Sequence, residues 1–154
     1  MNDVIASLPE PIGTVYDYEP ALRHDRTIYL AGQIAKISQS ELHAVGQCGR
    51  DIDLDTAMEN AGIAARQALA WAATQLSAGE RIERILRVKV FISATPDFDG
   101  ISQIADAASH VFIDALGDAG RHVRSVVGVS RLPRNAPVLL EVTASVDGVD
   151  TPET

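Results

Sequence analysis

The alternation of apolar and polar positions divides the chain into stretches of period two and stretches of helical period. TIYLAGQIA (27–35) is rich in β-formers and ends at a glycine-containing turn, which predicts a strand, and the less regular VYDYEPALRH before it can pair with it as a hairpin. After the turn-rich ISQSELHAVGQCGRD, apolar residues recur near helical spacing at Leu54, Met58, Ala61, Ala65, Ala68, Leu69, Ala72 and Leu76. This predicts a long alanine-dense helix over 54–76, capped by Asp53 or Asp55, with Gly79 as its break. RILRVKVFI (84–92) alternates Arg87 and Lys89 against Leu86, Val88, Val90 and Ile92, the period of a half-buried strand. Beyond the TPDFDG turn, Ile101, Ile104, Ala105, Ala108, Phe112 and Leu116 make one helical stripe that Gly117 stops. Two strands close the domain, one from Gly120 through Val129 and VLLEVTASV (138–146), separated by Leu132-Pro133-Arg134-Asn135.

The order β-β-α-β-α-β-β predicts an α+β fold in which right-handed crossovers place both helices on one face of the sheet. A single domain over residues 1–147 with a polar tail over 148–154 accounts for the whole chain. The other face of the sheet is left uncovered. Phe91, Val127, Val129 and Leu139 are expected on it together with Lys89 and Glu141, and so mixed an apolar surface invites a symmetric partner. Arg87 and Lys89 are expected to pair with acids such as Glu141 across that face.

Charge changes the list of possible partners. The chain carries 13 basic and 21 acidic residues, a net charge of −8, which opposes general attraction to nucleic-acid backbones or anionic lipid. No stretch approaches the roughly 18 apolar residues of a membrane span, and MNDVIASLPEP lacks the basic and apolar regions of a signal peptide. A cytoplasmic location without membrane or nucleic-acid partners is the expectation. The one cysteine, Cys48, lies in VGQCGRD away from any histidine near in sequence and reads as an inert turn thiol. Four scattered histidines lack zinc-ligand spacing, so no metal is expected.

The candidate chemistry lies in GRHVRSVVGVSRLP (120–133), where two arginines and a histidine abut a run of valines. A guanidinium at the mouth of an apolar strand must be solvated, be paired in a salt bridge, or wait for an anion. Arg124 could do any of these, and Arg121 reads as solvated or ion-paired. His122, two positions before Arg124, would share its face on a continuous strand and is either a capped strand-entry residue or a group that polarises a substrate. Tyr16 and Tyr18 divide between cleft wall and core edge. Trp71 reads as a helix-packing residue.

AGQIA, the helix after GRDIDLDTA, the strand VKVFISATPDF and above all GDAGRHVRSVVGVSRLP resemble the reactive intermediate deaminase family, RidA or YjgF, often labelled endoribonuclease L-PSP. Within it they resemble a GRHxRSxVGV subgroup. The likeness covers roughly residues 12–147. It implies a fold similar to the trimeric chorismate mutases, a homotrimer built around a barrel-like core, and clefts between subunits. It implies hydrolysis of reactive enamine and imine acids, of the 2-aminoacrylate and 2-iminopropanoate type, to 2-keto acids and ammonia, with no cofactor. Arg124 then falls on the arginine that clamps the substrate carboxylate, beside Ser125. The early tyrosine of the substrate site falls on Tyr18, with Tyr16 a near alternative, aligned through Gly32 and Gln33. The glutamate expected near the attacking water falls on Leu139, and Ala31 stands where serine is usual. Glu141 and His122 are the candidates to take over. A non-catalytic protein binding small carboxylates or keto acids is the alternative this departure favours. An endoribonuclease, without a basic stripe, paired histidines or an aromatic platform for bases, ranks third.

Overall fold

The alternation predicted for the last strand is realised along its full length. In β5 (Val138–Asp147) positions 138, 140, 142, 144 and 146 are buried and the residues between them are not. The structure, a computed structural model, describes residues 7–148, so all but the first residue of the expected tail lies outside the described residues. Around β5 stand β1 (Ala21–His24), β2 (Thr27–Leu30), β3 (Arg81–Ser93) and β4 (Val123–Val129), in the sheet order β1-β2-β5-β3-β4. β3 and β4 run parallel and the other pairs antiparallel. α1 (Leu54–Ala73) connects β2 to β3, and α2 (Ile101–Leu116) connects β3 to β4. The expected β-β-α-β-α-β-β order stands.

Both helices pack on one face of the sheet because their apolar stripes have nowhere else to go. On α1, Asp53 caps the N-terminus by accepting from the Thr56 N–H at 2.8 Å, and Ala57, Ala61, Ala64, Ala65 and Ala68 are wholly buried. Side chains of one methyl let the helix backbone approach its neighbours closely. α2 answers with Ile104, Ala105, Ala108 and Phe112, also wholly buried, and these meet Ile85, Val88, Val90, Leu140, Val142 and Ala144 of the sheet in one core. α1 also reaches beyond the sheet. Buried Gln67 accepts from the Lys36 N–H at 2.7 Å and donates to the Ile34 carbonyl at 3.0 Å, and Asn60 Nδ2 lies 3.1 Å from His43 Nδ1. These bonds fix the long loop between β2 and α1.

Four of the boundaries that differ from the sequence pattern have a clear local reason. The strand expected over 27–35 ends at Leu30: the Ala31 N–H still bonds the Pro20 carbonyl at 2.9 Å in register with the hairpin, but proline has no N–H to return the bond and the ladder stops there. The chain rejoins the sheet only at the Gln33–Leu140 bridge. α1 stops at Ala73 instead of Leu76, where the Thr74 hydroxyl donates to the Trp71 carbonyl at 2.6 Å. β3 begins three residues early, since register shifts at Ile82/Arg84 and Ile85/Arg87 break the period-two pattern by which it was recognised. β4 begins at Val123, not Gly120; residues Gly117–Gly120 form a 3₁₀ turn. A side chain at 120 would collide with the Phe112 carbonyl, so glycine lets this turn lie directly on α2.

The helix-free face carries Arg87, Lys89 and Phe91 from β3, Ser125, Val127 and Val129 from β4, and Leu139, Glu141 and Thr143 from β5, as their cross-strand pairing shows. Lys89 Nζ and Glu141 Oε2 stand 4.0 Å apart, both half exposed, a pair of little energetic weight in solvent. Tyr29 and Val127 remain exposed here. At one end of this face Ile34, Leu132 and Ala136 are buried and Phe91, Val129 and Leu139 pack against them, a second, smaller core under the loops.

The hairpin is fastened to the loop between α1 and β3 by an ion pair. Arg23 on β1 grips Glu80 with two parallel bonds, Nη1 to Oε1 at 2.6 Å and Nη2 to Oε2 at 2.7 Å. Its guanidinium, with the Ser77 N–H as a further donor, holds the Glu80 carboxyl down at about 2, from an ordinary 4.5. A carboxyl whose pKa is depressed by folding stabilises above its ordinary value and loses that contribution as pH falls toward the folded one. Thermal midpoints should therefore fall as pH is lowered from about 4.5 to about 2. Glu80→Gln should be less stable than the wild type at neutral pH and should show a shallower decline across that window; an unchanged decline would assign it to other carboxylates.

Candidate functional site

A cleft of about 540 Å³ opens where the 12–20 segment, the loop after β2, α1 and the start of β5 converge. Tyr16 and Tyr18 both line it, 65% and 49% exposed, so each belongs to the wall and neither to the core edge. Gly32 and Gln33 form its floor with Leu139. Gly32 leaves room for Leu139: a Cβ there would stand 2.8 Å from one of its methyls, so a larger residue would push the leucine aside on the floor. Gln33 is locked by exchanging backbone bonds with Leu140 at 2.7 and 2.9 Å, and its Nε2 donates to the Ala31 carbonyl at 2.9 Å. Trp71, expected only to pack helices, also borders this opening from α1.

The remaining candidates lie elsewhere in the chain. Arg124 pairs in register with buried Val88 and faces α2, whereas Ser125 and Glu141 pair with Lys89 and face the helix-free side. Within one chain the sheet thus separates Arg124 from Glu141, and neither Glu141, Ser125, His122 nor Arg124 lines the cleft.

Arg124 is held on one side only. Its Nη1 donates to Asp106 Oδ1 at 2.7 Å and to Ser109 Oγ at 3.1 Å. Among the described residues nothing accepts from its Nε or Nη2. The side chain is 24% exposed, on a strand at the sheet edge. One corner of the planar fork is fixed, and the opposite edge presents two parallel donors at the spacing of a carboxylate.

His122 belongs to the fixing, the capped strand-entry role of the two expected for it. It precedes β4 and does not continue that strand. Its Nδ1 lies 2.7 Å from the Gly120 carbonyl and its Nε2 2.9 Å from Ser109 Oγ. A carbonyl can only accept, so Nδ1 carries the proton, and the neutral ring accepts the Ser109 hydroxyl at Nε2. The chain of donors therefore runs Arg124 Nη1–H to Ser109 Oγ–H to His122 Nε2, then from Nδ1–H to Gly120. Phe112 contacts the ring edge to face, centroids 5.7 Å apart. With both nitrogens engaged, His122 orients Arg124 through Ser109 and has no free atom for a substrate. Burial lowers its pKa below the ordinary 6.5, the nearby Arg124 charge adding to the effect against the Gly120 bond. Asp106 and Ser109 escaped the sequence reading. Their signal was spacing: three apart on α2, on the flank facing β4.

Cys48 is wholly buried, with its N–H on the Ser93 carbonyl, and burial pushes its thiol up to about 11. It stays protonated at neutral pH and is a poor nucleophile. Among the described residues there is no group of three or more potential metal ligands, and no helix is long and apolar enough to cross a membrane.

Known proteins share this architecture. A family model described as endoribonuclease L-PSP matches residues 9–146. Protein TCP17 of Trypanosoma cruzi is 28% identical over 141 residues, covering 91% of this chain and 86% of that protein. Among solved structures, Atu1372 of Agrobacterium tumefaciens, of unknown function, superposes with a TM-score of 0.79 at 29% identity, over 87% of this chain and 86% of that one. Escherichia coli TdcF, solved with bound serine, shares the fold, with a TM-score of 0.64 at 23% identity over 88% and 93% of the two chains.

The hydrogen-bond relay has a titration signature. At neutral pH, nitrogen-detected NMR of His122 should show the neutral Nδ1–H ring, with a midpoint below 6.5. Arg124→Gln should raise that midpoint while leaving it below the ordinary value, because burial remains. A histidine disfavoured as a cation by folding costs stability as pH falls through its ordinary value, so His122→Asn should flatten the stability profile just below pH 6.5. A midpoint at or above 6.5 would contradict the tautomer and the relay.

Proposed function

Because the chain belongs to the endoribonuclease L-PSP family, the family of YjgF and RidA, we propose that it hydrolyses reactive 2-imino acids and their enamine tautomers to 2-keto acids and ammonia, using no cofactor. The observation that carries this reading is the half-anchored guanidinium of Arg124, whose Nε and Nη2 form an open fork. Such a fork takes a carboxylate bidentately and fixes the adjacent imine carbon. Water adds to that carbon, the nitrogen takes up the proton to leave as ammonia, and the C–N bond breaks as the carbonyl forms. The imine and one water are thereby converted into one keto acid and one ammonia.

Since the sheet keeps Arg124 away from the Tyr16–Tyr18–Gly32 cleft of its own chain, the complete site in this reading is shared. Arg124, on edge strand β4, serves the cleft of a neighbour in a homotrimer. Tyr16, Tyr18 and the Gln33 backbone wall the substrate in. The helix-free face, with Tyr29, Val123 and Val127 exposed, supplies the surface that such an assembly buries.

One observation favours a second reading. Leu139 places an apolar side chain on the floor, and among the described residues no Asp, Glu or His lines the cleft to orient water. A protein that binds small keto acids without turnover fits that floor as well. A ribonuclease fits it worse, for the same absence of an acid–base pair.

The deciding experiment generates 2-iminopropanoate in place with an amino-acid oxidase and follows its decay. The protein should accelerate decay, and light scattering should give the mass of a trimer. Arg124→Lys keeps the charge and loses the fork, and should lower kcat/KM by an order of magnitude or more with the trimer intact. Leu139→Glu should raise the rate, since a positioned acid–base group typically contributes about 10² to 10⁴. Keto-acid binding with no acceleration by either protein would replace the enzyme by the binding protein; a monomer mass would remove the shared site.

A further inference from the structure

The cleft contains two cations that the reaction proposed above does not use. Lys36 and Arg134 both line it and both are half-buried. Lys36 Nζ reaches only the Gly13 carbonyl, at 3.3 Å, and among the described residues Arg134 has no hydrogen-bond or ion-pair partner for its side chain. In a chain of net charge −8, the other half-buried cations among the described residues have acids, Arg23 Glu80 and Arg124 Asp106, whereas Arg66, Arg84, Arg87 and Arg131, which pair with none, are exposed to solvent. Among the described residues no acid lines this cleft. Two partly desolvated cations without a counter-charge are an unfavourable arrangement unless an anion joins them.

The backbone points the same way. Arg134 and Asn135 stand consecutively in the left-handed region, at φ of 57° and 58°, a conformation that residues with a Cβ adopt at a cost of order 1–3 kcal/mol. Glycine would relieve it at 134, yet arginine is there, and this backbone carries the guanidinium to the cleft rim. The segment is pinned by the Gly46 N–H on the Asn135 carbonyl at 2.8 Å.

We propose that Lys36 and Arg134 form a second anion subsite, and that the preferred substrates are dicarboxylic 2-imino acids of four or five carbons. This rests on the reading of Arg124 as the clamp of the first carboxylate. Imino acids arise from amino acids, and among those the acidic ones bring a second carboxylate at the far end of a short chain. The apolar floor of Leu139 lies under the intervening methylenes, and the two cations take the distal charge. The three-carbon acids fill only the Arg124 end.

Stable keto acids test this by titration calorimetry on the assembled protein, with pyruvate for the one-carboxylate case and 2-oxoglutarate and oxaloacetate for the two-carboxylate case. The dicarboxylates should bind on the order of tenfold or more tightly than pyruvate, as charge-assisted bonds to a distal carboxylate require. Lys36→Met and Arg134→Gly should each reduce that preference and leave pyruvate affinity unchanged. Glycine suits the left-handed backbone, so Arg134→Gly tests charge without strain, and thermal midpoints verify both folds. Pyruvate binding as tightly as 2-oxoglutarate overturns the dicarboxylate subsite and leaves the carboxylate clamp standing. A dicarboxylate preference that survives both substitutions also overturns it. Failure of all three acids to bind removes the clamp and the subsite together.

Discussion

Strand parity governs this molecule. Along β4, β5 and β3 from Arg87 onward, every second residue faces the helices and the rest face away, and a one-residue change of register would exchange the two sets. Parity buries Val88, Val90, Leu140 and Val142 beneath α1 and α2. It also sends Arg124 to the helix side while its neighbour Ser125 goes to the other. The anchoring of Arg124 follows directly: only on that side can it meet Asp106 and Ser109 of α2. So does the division of the site, because the cleft floor at Leu139 faces opposite to Arg124.

That division separates what the chain can do alone from what it does in company. A single chain builds a cleft with aromatic walls and two cations, and separately builds a rigid arginine at a sheet edge. The rigidity comes from neutral groups as much as from charge. Asp106 alone would hold a guanidinium against solvent loosely, its carboxylate being largely exposed; Ser109 and the His122 ring behind it give the fork a fixed plane. A positively charged His122 could not accept from Ser109, so burial of the ring under Phe112 preserves the geometry as well as the core.

Sequence patterning carried most of the fold, because both helices and β5 present unbroken periodicity: the stripe of α2 ends at Gly117 as its spacing predicts, and Asp53 is the cap of α1. It failed where a backbone partner outranked the pattern. TIYLAGQIA reads as one strand, yet Pro20 opposite Ala31 has no N–H with which to continue the ladder, and the bulges at the start of β3 hid three of its residues behind a spacing of three. The candidate site was legible in pieces. Arg124 was marked by its charge against a run of valines, and Tyr16, Tyr18, Gly32 and Gln33 by the family resemblance. Their separation was not, since nothing in RHVRSVVGV tells which side of the sheet the guanidinium enters until the strand's first residue is known. Lys36 and Arg134 were invisible for a different reason: a lone basic residue in a loop looks solvated, and only the absence of acids around both in space sets them apart.

The alanine seam of α1 has its own consequence for how such a protein can change over generations. Side chains of one methyl cannot be trimmed usefully, so variation there runs in a single direction, toward bulk. A larger residue at Ala61, Ala64 or Ala68 cannot be absorbed by local repacking against Ile and Val partners that already fill the core. It must lift the helix as a unit. Trp71 and Gln67 ride on that helix, the first bordering the cleft and the second holding Ile34 and Lys36. Each added methylene would act as a shim beneath the rim, and inherited differences in cleft width could arise far from any residue that touches a ligand.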